Sequence, residues 1–244
     1  MMKRTLFLLA LASASLHAQV SFDRLLQTDR EPNNWLTYSG GFSSQRHSSL
    51  TQINSRNVKR LELQWIFQAR SLEKFETTPL VVDGVVARSR RRTISLPSTP
   101  RPARTFWVVL ASPAPESRPC CGRINRGVAI LGDTLFMGTI DAHLVAVDAT
   151  SGRLVWDVAI AKPEAGYSVT VAPLVVKDKV IIGTAGGEYG IRGFIAAYDA
   201  KTGKEDWRFY TVPGPGEPGH DSWGGDSWKT GGGSIWVTGS YDLI

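Results

Sequence analysis

Cysteine is nearly absent from this 244-residue chain: there are two, and they are neighbours, Cys120 and Cys121. Adjacent cysteines enclose no loop, so no disulfide framework between distant segments is available to them. They are also too few, and wrongly spaced, for a zinc site built from separated pairs. Long apolar runs are missing as well. Only the first residues, MMKRTLFLLALASASLHAQV, carry a concentrated apolar stretch, and it is short for a membrane span. Lys3 and Arg4 ahead of Leu6–Leu11, with small residues up to Ala18, follow the pattern of a secretory signal peptide over 1–18. An exported mature chain without a transmembrane segment is the expectation, in a compartment where disulfides persist.

A basic surface is absent too, despite a net charge of +6. Arg88, Arg90, Arg91, Arg92, Arg101 and Arg104 crowd a stretch without one acidic residue, and setting them aside leaves 22 basic against 22 acidic residues. The excess is local, which argues against a nucleic-acid partner.

Present instead is a repeat. AVDATSGRLVWDV from Ala146 and AYDAKTGKEDWRF from Ala197 share Ala-x-Asp-x-x-[Ser/Thr]-Gly-x-x-x-Trp, and their tryptophans, Trp156 and Trp207, stand 51 residues apart. Trp107 precedes Trp156 by 49 residues, and Trp65 precedes Trp107 by 42. Recurrence at such intervals marks a repeat architecture. Within one unit, short β-like runs fall near 128–131, 134–139, 143–148 and 153–158, separated by Gly-Asp, Asp-Ala and Thr-Ser-Gly turns. Four strands per unit of this length predict an all-β propeller of four-stranded blades over 19–244. The repeating tryptophans suit packing between blades, not catalysis. Over 86–104 the pattern fails in Arg-, Ser- and Pro-rich text, where Pro97, Pro100 and Pro102 each remove a ladder donor. A frame slip across these codons, or a true basic insertion, accounts for it.

RPCCGRINRG, TAGGEYGIRGFIAAYDAKTGKEDWRF and DSWGGDSWKTGGGSIW, with the tryptophan repeat, resemble the pyrroloquinoline-quinone (PQQ)-dependent alcohol dehydrogenases of the methanol/ethanol family. The resemblance runs from about Asn33 to Asp242, apart from the anomalous stretch. It implies a periplasmic or otherwise exported propeller of the eight-bladed type, of which this chain would supply about half, and calcium or a lanthanide beside the quinone. An oxidised Cys120–Cys121 pair would close a small strained ring and offer a flat sulfur surface to one face of the coenzyme. Trp236 would cover the other face, reached through the glycine run Gly231–Gly233, with Ser234 on the polar edge. Arg126 would meet the coenzyme's carboxylates, with Glu76 and Thr170 as further polar contacts and Ala185, Gly186 and Gly187 as close backbone. Glu188 would ligate the metal, which would act as a Lewis acid.

The implied reaction is oxidation of a primary alcohol to an aldehyde by hydride transfer to PQQ, with a cytochrome c or similar electron acceptor. The resemblance also implies an asparagine metal ligand and a catalytic aspartate. No residue here answers to either: Asp221 and Asp226 lie in the HDSWGGDSW loop, and no catalytic base is assigned to this chain. A fragment, inactive alone, is the expectation. Two rivals compete with it, a cofactor-free propeller scaffold in the periplasm and a decayed copy without function. The scaffold has no use for Cys120, Cys121, Glu188 and Trp236 together.

Overall fold

The structure, a computed structural model, describes residues 19–64, 66, 74–90, 93–97, 105–108, 122 and 124–243. The proposed signal segment and both cysteines lie outside them. The described residues form three antiparallel four-stranded sheets, each with its strands in simple chain order. The first joins β1 (Leu80–Val82), β2 (Val85–Arg90), β3 (Thr93–Pro97) and β4 (Thr105–Val108). The second joins β5 (Ala129–Leu131), β6 (Thr134–Gly138), β7 (His143–Asp148) and β8 (Leu154–Ala159), and the third joins β9 (Leu174–Val176), β10 (Lys179–Gly183), β11 (Phe194–Asp199) and β12 (Glu205–Tyr210). These are propeller blades, and the strand limits expected from turn chemistry hold to within a residue or so in the second. Among the described residues no helix is long and apolar enough to cross a membrane.

The repeated turn is explained by its own side chains. Asp148 Oδ1 accepts from the Ser151 amide and hydroxyl, each at 2.7 Å, and from the Thr150 amide at 3.1 Å. Asp199 Oδ1 repeats this with the Thr202 amide at 2.9 Å and hydroxyl at 2.7 Å. Those bonds, led by the Ser151 and Thr202 hydroxyls, hold both carboxyls below the usual aspartate range. The glycine that follows takes the left-handed conformation, φ 74° at Gly152 and 72° at Gly203, which a Cβ would strain. After the turn the register shifts by one residue, between Ala146 and Val147 in one blade and between Ala197 and Tyr198 in the next. The bulge sets Trp156 opposite Ala146 and Trp207 opposite Ala197.

Trp156 reaches the following blade: its indole Nε1 donates to Ala200 O at 3.1 Å, and a Cβ built on Gly203 would stand 2.9 Å from its ring. Blade-to-blade docking thus uses the next unit's turn as the receiving surface. The apolar core runs continuously beneath, with Leu135, Leu144, Val169, Val180 and Phe194 among its fully buried members.

The anomalous stretch still contributes strands. β2, β3 and β4 fall in or beside it, and β3–β4 pairing shifts register between Ser95 and Pro97, where proline supplies no ladder donor. Residues 91–92 and 98–104 lie outside the described set. On the N-terminal side, α1 (Phe22–Leu26) is capped by Ser21 Oγ, which accepts from the Arg24 amide at 3.1 Å. Arg24 then bridges Glu31 at 2.7 Å and Asp83 at 2.5 Å, tying the leading segment to the β1–β2 turn.

Candidate coenzyme site at the blade entrances

The predicted site residues among the described ones share one topological position: the segment entering the first strand of a blade, or the loop facing it. Thr78, just before β1, forms a parallel bridge with Gly127, just before β5. The Thr78 amide donates to Arg126 O at 2.8 Å, and the Arg126 amide donates to Thr170 O at 3.0 Å. Thr170, buried, sits ahead of β9. One step further on, Thr238 Oγ1 donates to Ala172 O at 2.7 Å. Consecutive blade entrances are therefore hydrogen-bonded to one another, and their residues converge whatever their separation in sequence.

At the centre stands Arg126. Its Nη2 lies 2.9 Å from Glu76 Oε2, and its guanidinium carbon lies 4.9 Å from the centroid of the Trp236 ring. Residues separated by 50 and by 110 positions thus meet at one cation. Trp236 remains 50% exposed, so aromatic surface stays open although the guanidinium lies over the ring. Such an arrangement suits a planar anionic ligand: the ring offers a stacking face, and a guanidinium offers donors in a fork that matches carboxylates.

Sequence reasoning gave no role to Asn125, which precedes Arg126 in the Asn-Arg-Gly run after the cysteines. Asn125 is buried. Its Nδ2 donates to Gly138 O at 2.7 Å, and its Oδ1 accepts from the Gly127 amide at 3.0 Å and from Ser89 Oγ. Ser89 is also buried and lies 3.0 Å from Thr77 Oγ1. This network ties the Asn125–Gly127 segment to β2 through Ser89 and to β6 through Gly138. Its only sequence signal was an asparagine between the cysteines and Arg126.

The second half of the site is the glycine-rich turn after β10. Ala185 bridges Ser168. Gly186 adopts φ 117°, and a Cβ there would fall 2.1 Å from Gly166 O, so backbone meets backbone at a distance only glycine allows. A 3-10 turn over Gly187–Tyr189 follows and carries Glu188, which is exposed. The turn is fastened to the glycine run by the Gly187 amide, which donates to Ser234 Oγ at 2.9 Å. The Ile235 amide donates to Thr184 O at 2.8 Å, so Trp236 follows two anchored residues. Glu188 and Trp236 are thereby held to a common frame.

Among the described residues no group of three or more His, Cys, Asp or Glu side chains could hold a metal; Glu188 is a single carboxylate. Cys120 and Cys121, expected beneath the coenzyme, lie outside the described residues. Of the other expected residues, Arg126 contacts both Glu76 and Trp236, Ser234 and Gly187 are bonded, and Thr170 contributes its carbonyl to the Arg126 amide.

Comparison with known proteins identifies the framework. Residues 35–243 match the family described as glucose/ethanol/alcohol dehydrogenase, β-propeller domain (PQQ). The quinohemoprotein alcohol dehydrogenase ADH IIB of Pseudomonas putida is 39% identical over 99% of this chain and 37% of its own length. A lanthanide-dependent methanol dehydrogenase of Methylacidiphilum fumariolicum is 35% identical over 90% of this chain and 40% of its own. Among solved structures, a europium-containing methanol dehydrogenase superposes with a TM-score of 0.85 at 34% identity, covering 91% of this chain and 42% of that one. The chain spans about two fifths of these relatives.

Proposed function

The chain belongs to the glucose/ethanol/alcohol dehydrogenase β-propeller family, and from that premise we propose that it supplies the coenzyme-holding part of an exported PQQ-dependent alcohol dehydrogenase. Arg126 pairs with a coenzyme carboxylate, Trp236 stacks on the ring system, and Ser234 and the Gly186–Gly187 backbone border its polar edge. Glu188 supplies carboxylate oxygens of the kind taken by a hard cation, calcium or a lanthanide. Cys120 and Cys121, oxidised, form the opposite surface.

Bound there, PQQ would supply a two-electron acceptor for oxidation of a primary alcohol to an aldehyde, with a cytochrome c or similar protein as the onward electron acceptor. The residues of this chain position and neutralise; none of them is assigned as the base that takes the hydroxyl proton.

What supports this reading above all is the meeting of Glu76, Arg126 and Trp236, a guanidinium and an exposed indole built from segments that the propeller brings together. The close Gly186–Gly166 backbone packing, which tolerates no side chain, fixes the turn that carries Glu188. The test is a titration of the purified chain with PQQ, with and without calcium, followed by coenzyme absorption and indole quenching. Saturable, calcium-strengthened binding is expected. Arg126→Met should weaken it by about tenfold or more, as loss of a charge-assisted pair does, and Glu188→Gln should remove the calcium effect. A parent chain that leaves PQQ unbound would support the scaffold reading instead.

A further inference from the structure

Arg192, in the Gly-Glu-Tyr-Gly-x-Arg-Gly motif, has no role in the site as drawn, yet it gathers an unusual set of contacts. Its Nη2 lies 2.9 Å from Glu217 Oε2, and its Nε donates to Val212 O at 2.8 Å. The guanidinium carbon sits 4.0 Å from the Tyr210 ring centroid and 4.8 Å from that of Trp228. Only 16% of the side chain is exposed. Tyr210 ends β12, whereas Glu217 and Trp228 belong to the long excursion between β12 and the glycine run. One side chain thus grips both ends of that excursion and its middle.

The backbone around Arg192 receives the returning chain. Arg192 and Gly232 form a parallel bridge. The Gly232 amide donates to Ile191 O at 2.8 Å, and the Gly193 amide donates to Gly232 O at 2.6 Å. A Cβ on Gly193 would stand 2.2 Å from Gly233 O, so the two strands of chain approach as closely as glycine permits. The next residue past that contact is Ser234, which holds the Glu188 turn, and Trp236 follows two further on. The excursion must be gathered in before these residues can take their places.

We propose that Arg192 is a positioning residue for the coenzyme site: by latching the 211–231 excursion to the start of β11, it fixes the Gly232–Trp236 segment that carries Ser234 and the stacking indole. The inference rests on the coenzyme reading of the site and adds a residue that touches neither coenzyme nor metal ligand. Lysine cannot replace it, because an ammonium lacks the planar fork that serves a carboxylate, a carbonyl and two rings together.

The experiment compares the parent chain with Arg192→Met, Arg192→Lys and Glu217→Gln by amide hydrogen exchange and by PQQ titration in calcium. Arg192→Met should speed exchange at Gly187, Gly193, Gly232 and Ile235 at least about tenfold, leave the β5–β8 amides at parental rates, and weaken PQQ about tenfold, the usual range for an outer-shell partner. Arg192→Lys should fall near Arg192→Met, and Glu217→Gln between it and the parent. Parental exchange at those four amides, or acceleration spread equally over the β5–β8 sheet, would overturn the proposal, as would full PQQ affinity in Arg192→Met. Failure of the parent to bind PQQ would overturn the coenzyme reading itself, and the exchange data would still report whether Arg192 orders the segment.

Discussion

Trp156 and Trp207 occupy the same place in consecutive blades and meet different fates. Each follows an Asp-x-x-[Ser/Thr]-Gly turn with the same hydrogen bonds, and each faces an alanine across the same bulge. Trp156 is half-buried, bonded to Ala200 O, and 5.8 Å from the Phe136 ring centroid. Trp207 is 43% exposed, and Phe209 beside it is 64% exposed. The turn and bulge are thus properties of a blade, but burial of its tryptophan is a property of the junction with the next. Stability in such a chain resides largely at junctions between neighbours.

The largest effect expected from this contrast is on truncation of the indoles. Trp156→Ala should cost about 3 kcal/mol, near the lower end for removing a packed tryptophan, and Trp207→Ala about 0.5 kcal/mol or less, as at an exposed site. Urea denaturation of the two variants measures this, and equal costs would erase the distinction. Next is the receiving surface. Gly203→Ala adds both left-handed strain and a contact with Trp156, whereas Gly216, at φ 84° with open space around it, would bring strain alone. Gly203→Ala should therefore cost about 2 kcal/mol and Gly216→Ala about 1 kcal/mol. Placed in a Trp156→Ala background, Gly203→Ala should lose part of its cost.

The smallest effect concerns the feature the two blades share. Asp148 and Asp199 are held below the usual carboxylate range by their Ser151 and Thr202 partners. A carboxyl depressed on folding stabilises the fold fully above its unfolded pKa, and that contribution fades as pH falls through the folded value. Thermal midpoints should therefore decline between neutral pH and the acid side of the carboxylate range. The double variant Asp148→Asn, Asp199→Asn keeps an acceptor oxygen at each turn and should show a shallower decline. An identical slope would mean the turn carboxylates do not sense folding.

Much of the architecture could be read from the chain because its signals are local. Asp148, Ser151 and Gly152 lie within five consecutive positions and determine their turn among themselves. The strand limits follow, because such turns are the punctuation of the sheet. The site was legible by another route: Glu76, Arg126 and Trp236 are scattered, and no spacing relates them, so only the family resemblance assigned them to one place. The blade entrances supply the physical reason, a ladder from Thr78 to Arg126 to Thr170. Asn125 and Arg192 stand in the quoted RPCCGRINRG and TAGGEYGIRG runs, but their roles were not legible because each depends on partners held across distant segments. The stretch over 86–104 misled for the opposite reason: Arg- and Pro-rich text looks unlike a strand, yet β2 and β3 pair there over Arg88–Arg90 and Thr93–Ser95.

The most direct test of the central claim is a crystal structure of this chain grown with PQQ and a lanthanide, using the metal's anomalous signal. The account predicts a quinone ring lying along the Trp236 indole with a carboxylate on Arg126, and an anomalous peak at the Glu188 carboxylate. A quinone bound away from Trp236, or a metal peak remote from Glu188, would contradict it.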